Sequence, residues 1–576
     1  MISSAIQLQA PTATAAVKHG VGMKEVSLGR CNRDKGRNRG SFSFTEHLTQ
    51  LSRSDPRVAV FLQLAGSDRK KALAAILESP AGGAFRLEAS RWVAQALSVE
   101  RLLPEAYAEW RPLVYDAMVF FGSHLSTARL APKLVEQIEL PPDTLPEKRL
   151  SRLITRVPGL QKLGQVIARN RHLHRSLRRE LTQLENGIRD VTAEEIRSIT
   201  VQNLGPNLEH YAVKINPKIF CEASLSAVMR FTWYNPERRQ RERGVFKVMK
   251  PHVRGYFAED MDLLARLAKH LGSKHHAYGF AEHTIPETFG DVRRLLQHEI
   301  EFAREQANLQ RASRFYSSAR FVHIPRVIRP LCTATITALT EEHGMKITTA
   351  VAGMTRRRRN RIADQLIEAV VAVPLLAPGR EGLFHADPHA GNLLYNKQTG
   401  VLTLLDWALT GHITEEERRK AALLFLMVLL RDSQGICGVI ESLSQGARKR
   451  SPQQAEVIRK QVREFFEERP LTRIPGAADV VDLLERIAWQ GVRLPTHLVM
   501  LRKALFTLDG IIHDIAGSSV NLELVMVQRL LQNWLANPIR IGWPLALGDW
   551  IELGWSTMLY GSRLVVGGLQ QVAAGA

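Results

Sequence analysis

The residues best suited to chemistry in this 576-residue chain lie in one stretch, "FHADPHAGNLLYNKQTGVLTLLDWA", residues 384 to 408. It holds Asp387, then Asn392 five places on, then Asp406 fourteen places further. His385-Ala-Asp387-Pro-His-Ala-Gly-Asn392 fits the H-x-D-x-x-x-x-N form of a phosphotransfer loop, and Asp406 stands where the metal-binding Asp of a D-F-G element falls. Moving a γ-phosphoryl group needs magnesium bridging the phosphates, so a carboxylate (Asp406) and an amide oxygen (Asn392) must converge on the ion. Asp387 then orients the attacking oxygen or accepts its proton. The bland alternative, Asp and Asn as loop caps, does not account for both halves occurring in this order.

Several elements must hold these groups. The intervening "LLYNKQTGVLTLL" reads as a hairpin turning at Thr399-Gly400, which returns Asp406 to the side of Asn392. Upstream, "GVFKVMK" reads as a strand whose Val245, Lys247 and Met249 share one face, so Lys247 is the candidate for the α- and β-phosphates. A helix from about 288, "DVRRLLQHEIEFAREQANLQRASRF", offers Glu299, Glu301 and Glu305. Glu301, Glu305 and Asn308 fall on one stripe, and Glu305 is the expected partner of Lys247, although solvation is the commoner fate of a helix glutamate.

Two absences shape the expectation. No glycine occurs between Gly205 and Gly244, so there is no Gly-rich lid over phosphates and "EASLSAV" occupies its place. After Asp406 only seven residues precede Thr414, which with Glu417 forms a capping box for the next helix. That leaves little room for a segment that docks a peptide, which points to a small molecule, or to ATP hydrolysis itself.

Around this centre the chain is long enough for several packed units. Residues 1–45 carry seven Lys/Arg against two acids and few large apolar groups, and read as disordered. Residues 46–150 read as helical, with breaks at Pro80, Pro104 and "LPPDTLP" (140–146) and no assignable chemistry. "LQKLGQVIARNRHLHRSLRRELTQLENGI" reads as one long helix. "ASLSAVMRFTWY" and "GVFKVMK" read as strands flanking an "NPERRQRER" connection, and "TATITALTEEHG" as another strand. Helices resume from about 360. Strands with one helix followed by mostly helices give a two-lobed order with a cleft between the lobes.

A formal charge of +21 suits nucleic acid, an anionic membrane or a polyphosphate ligand. The basic residues are not interleaved with aromatics and no nucleic-acid motif is found, so no nucleic-acid partner is expected. The sharpest cluster, Arg356 to Arg361, reads as the solvated start of a helix whose apolar face continues as Ile362, Leu366 and Ile367. Cys31, Cys221, Cys332 and Cys437 form no zinc spacing and suit a reducing compartment. No apolar span of 18 residues occurs, so the reading is of a cytoplasmic chain, or one peripheral on a membrane. The tail carries Trp534, Trp543, Trp550 and Trp555. It either lies on a lipid interface or packs against protein.

The motifs together resemble the UbiB/AarF/ADCK group of atypical kinases. The residues carrying the likeness are "QKLGQ" (Lys162, Gly164, Gln165), "EASLSAV", "VFKVMKP", "HEIEFAREQAN", "HADPHAGN" and "LLDWALTG", in the family's order from about 155 to 415. The resemblance implies an α+β, two-lobed protein-kinase-like fold with mainly helical N- and C-terminal extensions. It implies binding of ATP with Mg2+, catalysis involving Asp387, Lys247 and Lys162, metal ligands Asn392 and Asp406, and nucleotide contacts at Lys247, Glu305, Ala223, Ser224, Val245, Gln165, Glu299 and Glu301. It further implies ATPase or small-molecule kinase activity supporting ubiquinone or other isoprenoid-lipid metabolism, with an isoprenoid lipid or anionic membrane surface as partner. Three departures stand out: Glu222 opens the Ala-rich loop, Glu299-Ile-Glu301 replaces E-x-D, and Asp406-Trp407-Ala408 lacks the glycine of D-F-G. The expected segments are 1–45, 46–150, a K-x-G-Q region at 151–210, an N-lobe at 211–345, a C-lobe core at 346–440 and a helical region at 441–576. The alternatives are a phosphotransferase of the aminoglycoside or choline kinase type, and a catalytically silent scaffold binding a lipid or partner.

Overall fold

The computed structural model describes residues 56–157 except 104 and 142, then 159–160, 190–279, 284–376, 381–444, 452–469, 477–490, 492, 495–517 and scattered positions from 520 to 558. The chain divides into two compact units. The first comprises Met1–Asn203, Ile215–Met229 and Lys247–Ile300, the second Leu204–Lys214, Arg230–Phe246 and Glu301–Ala576.

The first unit is mostly helical. Helices α1 (Pro56–Gln63), α2 (Gly66–Leu77), α3 (Gly82–Ala96), α4 (Arg111–His124), α5 (Thr127–Glu139) and α6 (Pro146–Ile154) precede α7 (Ala193–His210). The proline signals fall where the helices break: Pro80 lies between α2 and α3, and residues 140–145 join α5 to α6. Three strands follow in the chain, β1 (Lys214–Glu222), β2 (Ser226–Asn235) and β3 (Gln240–Met249), with Arg230–Phe246 of β2 and β3 assigned to the second unit, and then α8 (Pro251–Gly272) and α9 (Thr284–Ile300). Helix α8 starts with Pro251 at its first turn, ends with Lys269 and His270 in its last, and buries Leu263, Leu267 and Leu271. These side chains join Phe61, Leu73, Leu97, Leu134 and Val135 in one core.

Two sets of buried charges are embedded in this unit. The Arg129 guanidinium lies 2.7 Å from Asp260 and 3.3 Å from Glu259, and the other oxygen of Asp260 accepts the Gly159 amide at 2.9 Å. Burial nevertheless pushes the Asp260 carboxyl above its usual range, outweighing the arginine. In the second set, the fully buried Lys250 ammonium lies 2.6 Å from Asp190 and 3.0 Å from Glu222. The Asp190 amide also donates to Glu222 at 3.2 Å.

In the second unit, α10 (Phe302–Phe315), β4 (Val322–His323), β5 (Ile336–Thr340), β6 (Met345–Lys346) and α11 (Arg356–Ile367) lead to β7 (Glu381–His385). Then come β8 (Leu393–Tyr395), β9 (Leu402–Leu404), β10 (Thr410–Thr414) and helices α12 (Glu415–Leu430), α13 (Ser433–Leu443), α14 (Pro452–Glu467), α15 (Ala477–Trp489) and α16 (Thr496–Ala516). The sheets run β1-β2-β3-β5, β4-β9-β8-β6 and β10-β7. Strand β2 alternates as a half-covered strand should, burying Ala227, Met229, Phe231 and Trp233. Leu309, Ile362, Leu366, Leu393, Leu404, Trp407, Leu508, Ile512 and Ile515 belong to the second core. The architecture is α+β and mainly helical.

The sequence reading needs three corrections. The "NPERRQRER" connection is shorter than expected, because Gln240–Arg243 already belong to β3 and only residues 236–239 turn. Residues 214–222 form a strand that the apolar pattern did not reveal, since its side chains are exposed or half-buried throughout. The single helix expected from 288 is two helices, broken at Glu301, whose φ of −80° and ψ of 69° leave the helical region. Arg356 to Arg361 do open α11, behind Thr355 as N-cap, with Ile362, Leu366 and Ile367 buried. Among the described residues no helix is long and apolar enough to cross a membrane.

Candidate functional site

Strand β7 delivers the phosphotransfer-type loop. It pairs antiparallel with β10, His385 opposite Thr410 and Glu381 opposite Thr414, and the Ala386 amide extends the pairing to the Leu409 carbonyl at 3.1 Å. Gly411 is required here, because a Cβ would run into the ring of Phe384. The loop then folds on itself: the Asp387 carbonyl accepts the His389 amide at 2.8 Å and the Asn392 side-chain amide at 3.2 Å. The Asn392 amide in turn donates to the His389 carbonyl at 2.8 Å.

The hairpin behaves as its turn residues require. Strands β8 and β9 pair with Leu393 opposite Leu404. Gly400 has φ of 72°, and the Asn396 side chain caps the turn by accepting from the amides of Gln398 and Thr399. At its open end the Leu405 amide donates to the Asn392 carbonyl at 2.8 Å. Asn392 and the residue preceding Asp406 are thereby bonded neighbours, as the predicted hairpin requires.

His385 is the part that motif matching left without a role. It is fully buried. Its Nδ1 accepts the Asp387 amide at 3.2 Å, which assigns the proton to Nε2, 2.7 Å from the Leu405 carbonyl. Burial pushes this imidazole below the usual histidine range, in keeping with the neutral tautomer. Trp407 packs edge-on against it, donates from Nε1 to Leu404 at 3.1 Å, and its carbonyl accepts from Asn308 at 3.0 Å and Thr410 at 3.0 Å. Buried Asn308 on α10 thus anchors the D-F-G-like element.

The missing glycine of that element has a structural answer. The left-handed residue is Asp406, φ 50°, rather than Ala408, and Asp tolerates this region better than most residues. Its side chain accepts the Ala408 amide at 3.2 Å. The capping box also forms: Thr414 and Glu417 exchange hydrogen bonds at the start of α12.

The remaining sequence candidates are distributed as follows. Lys247 and Val245 are half-buried on β3, with Phe246 and Val248 buried on its other face. Glu305 is buried on α10, whereas Glu301 is exposed at the helix break beside Arg304, at 3.5 Å. Glu299 is half-buried near the end of α9, Ala223 is exposed and Ser224 is buried between β1 and β2. Lys162, Gly164 and Gln165, the long helix expected around them, residues 1–45, Cys31, Trp534, Trp543 and Trp550 lie outside the described residues. Trp555 is described, and is exposed. Glu222, an acid that would repel phosphate, is held by Lys250.

Among the described residues no cluster of three or more His, Cys, Asp or Glu could hold a metal alone. One carboxylate and one amide are instead a donor set of hard oxygens, the type that Mg2+ uses when phosphates and water complete its shell. Asp387, Asn392 and Asp406 therefore fit a magnesium nucleotide chemically.

A phosphotransfer-type loop joined to a hairpin that returns the second Asp is a kinase-like arrangement. A family model described as the ABC1 atypical kinase-like domain matches residues 183–440. The chain is similar to a probable protein kinase UbiB of Histophilus somni, 22% identical over 385 residues that cover 66% of this chain and 69% of that one. It is also similar to the chloroplastic protein ACTIVITY OF BC1 COMPLEX KINASE 7 of Arabidopsis thaliana, 26% identical over 383 residues, 65% of this chain and 53% of that one. A solved complex of the Mycobacterium tuberculosis protein Rv3197 with erythromycin matches 66% of this chain and 95% of that chain at 16% identity, with a TM-score of 0.42, too loose a likeness to add to the fold described above. These likenesses point to a UbiB/ABC1-type atypical kinase domain at residues 183–440.

Proposed function

We propose that this protein binds Mg-ATP and moves its terminal phosphoryl group to water or a small acceptor in support of ubiquinone or other isoprenoid-lipid metabolism. The observation that supports the reading is the backbone hydrogen bond from Leu405 to Asn392 at the open end of the hairpin, one residue before Asp406. Magnesium, when bound with the nucleotide, neutralises charge on the phosphate oxygens.

In this reading Asn392 and Asp406 hold the ion, Lys247 meets the α- and β-phosphates, and Glu305 orients that lysine. Asp387 receives the proton of the attacking oxygen while the bond from phosphorus to ADP breaks and the bond to the acceptor forms. Lys162 and Gln165 act from the K-x-G-Q segment, and Ala223, Ser224, Val245, Glu299 and Glu301 line the nucleotide. The direct run from Asp406 through β10 into α12 favours water or a small acceptor over a docked peptide.

The test is Mg2+-dependent ATP hydrolysis by the full chain, with and without anionic liposomes, comparing wild type with Asp387→Ala and Lys162→Ala. Hydrolysis stimulated by liposomes and lost in Asp387→Ala supports the proposal. Mg-ATP binding without turnover in any of the three supports a silent scaffold instead.

A further inference from the structure

We infer that Lys503, in the helical region that follows the matched family domain, is a positioning residue for Asp387. The inference rests on the phosphotransfer reading above. Its Nζ lies 3.4 Å from Oδ1 of Asp387. The loop from His385 to Asn392 contains no lysine or arginine of its own, so this charge comes from outside the motif.

The fold explains how so distant a residue arrives. Helix α16 buries Leu501, Ala504, Leu508, Ile511, Ile512 and Ile515 along one side, a stripe at helical spacing that joins the core of the second unit. It packs against α11 and β10, and β10 is the partner of β7, from which the loop emerges. Lys503, next to buried Ala504, is carried to the carboxylate by that packing.

Asp387 is buried, and its side chain is only 11% exposed. A cation at this distance sets the direction in which so enclosed a carboxylate points. Lys503 retains 36% exposure, so its ammonium reaches both Asp387 and solvent. Asp387 is therefore held in orientation by a residue outside the span matched by the family model, 183–440.

The experiment uses the full chain with Lys503→Met, Lys503→Arg, Asp387→Asn and the Lys503→Met/Asp387→Asn pair. Hydrolysis is measured with Mg-ATP. Acetylation of Lys503 by acetic anhydride is followed by mass spectrometry without nucleotide, a readout independent of turnover. Expected results are a fall in kcat of roughly tenfold or more in Lys503→Met with KM within about twofold, substantial recovery in Lys503→Arg, and no added loss in the pair over Asp387→Asn. Lys503 should be acetylated several-fold faster in Asp387→Asn than in wild type. An active wild type with Lys503→Met at equal kcat overturns this inference alone, as does an acetylation rate indifferent to Asp387. A wild type that never hydrolyses Mg-ATP overturns the proposed function, and this inference with it.

Discussion

His385 ties the loop carrying Asp387 to the strand end carrying Asp406: one ring nitrogen accepts the Asp387 amide at 3.2 Å, and the other lies 2.7 Å from the Leu405 carbonyl. A neutral imidazole is the one state that both bonds allow, because Nδ1 must accept while Nε2 donates. The histidine of the motif is therefore structural to the site, setting the distance between its two acids.

Replacing it tests that role. His385→Ala leaves a buried carbonyl and a buried amide without partners, and is expected to cost about 2–4 kcal/mol in urea unfolding. His385→Asn, which can keep one of the two bonds, should lose less. Mg-ATP affinity should fall in both, in the same order.

Asp406→Asn separates metal binding from backbone strain. Asn adopts the left-handed conformation as readily as Asp, so unfolding free energy should stay within about 0.5 kcal/mol of wild type. Hydrolysis should drop by roughly 10²-fold or more with the loss of one anionic ligand. Asp406→Val adds a cost of about 1–2 kcal/mol from the positive φ, readable in the same unfolding curve.

Lys250 sits between two buried carboxylates. Lys250→Met leaves Asp190 and Glu222 facing each other without the ammonium, and should destabilise the chain by about 3–5 kcal/mol in thermal or urea unfolding. Adding Asp190→Asn and Glu222→Gln to that variant removes the uncompensated charge and should recover part of the loss.

The first unit should also weaken in acid through His252. Burial holds this imidazole down at about 4, with Asp190 at 3.5 Å only partly opposing the effect. In the unfolded chain the same ring titrates near 6.5. Between those values the unfolded state binds a proton that the folded state refuses, so stability is full above about pH 6.5 and falls as pH drops towards about 4. His252→Gln should flatten that part of the stability profile measured by thermal unfolding, whatever its effect on absolute stability.

The loop and hairpin that carry the candidate site were legible because their signals are local. Asp387, Asn392 and Asp406 are joined by one short loop and one hairpin, with Gly400 supplying the turn and Thr414 with Glu417 starting the next helix. The break at Glu301 was not legible, since both flanking helices are amphipathic and neither proline nor glycine marks the junction. Strand β1 was missed because its exposed and half-buried side chains give it no apolar alternation. The difficulty foreseen at Ala408 moved two residues back, to Asp406, because the sequence says where a glycine is missing and not where the backbone turns.

The sequence by itself determined the chemistry-bearing loop, the hairpin that closes it and the likeness to the UbiB/ABC1 atypical kinases, because neighbouring residues constrain one another through turns, caps and hydrogen bonds over a few positions. Only the tertiary structure decided that Lys503 meets Asp387, that Lys250 holds Glu222 and that His385 fastens both ends of the site. Those partners are far apart along the chain or unreadable from spacing, and packed helices and strands bring them together.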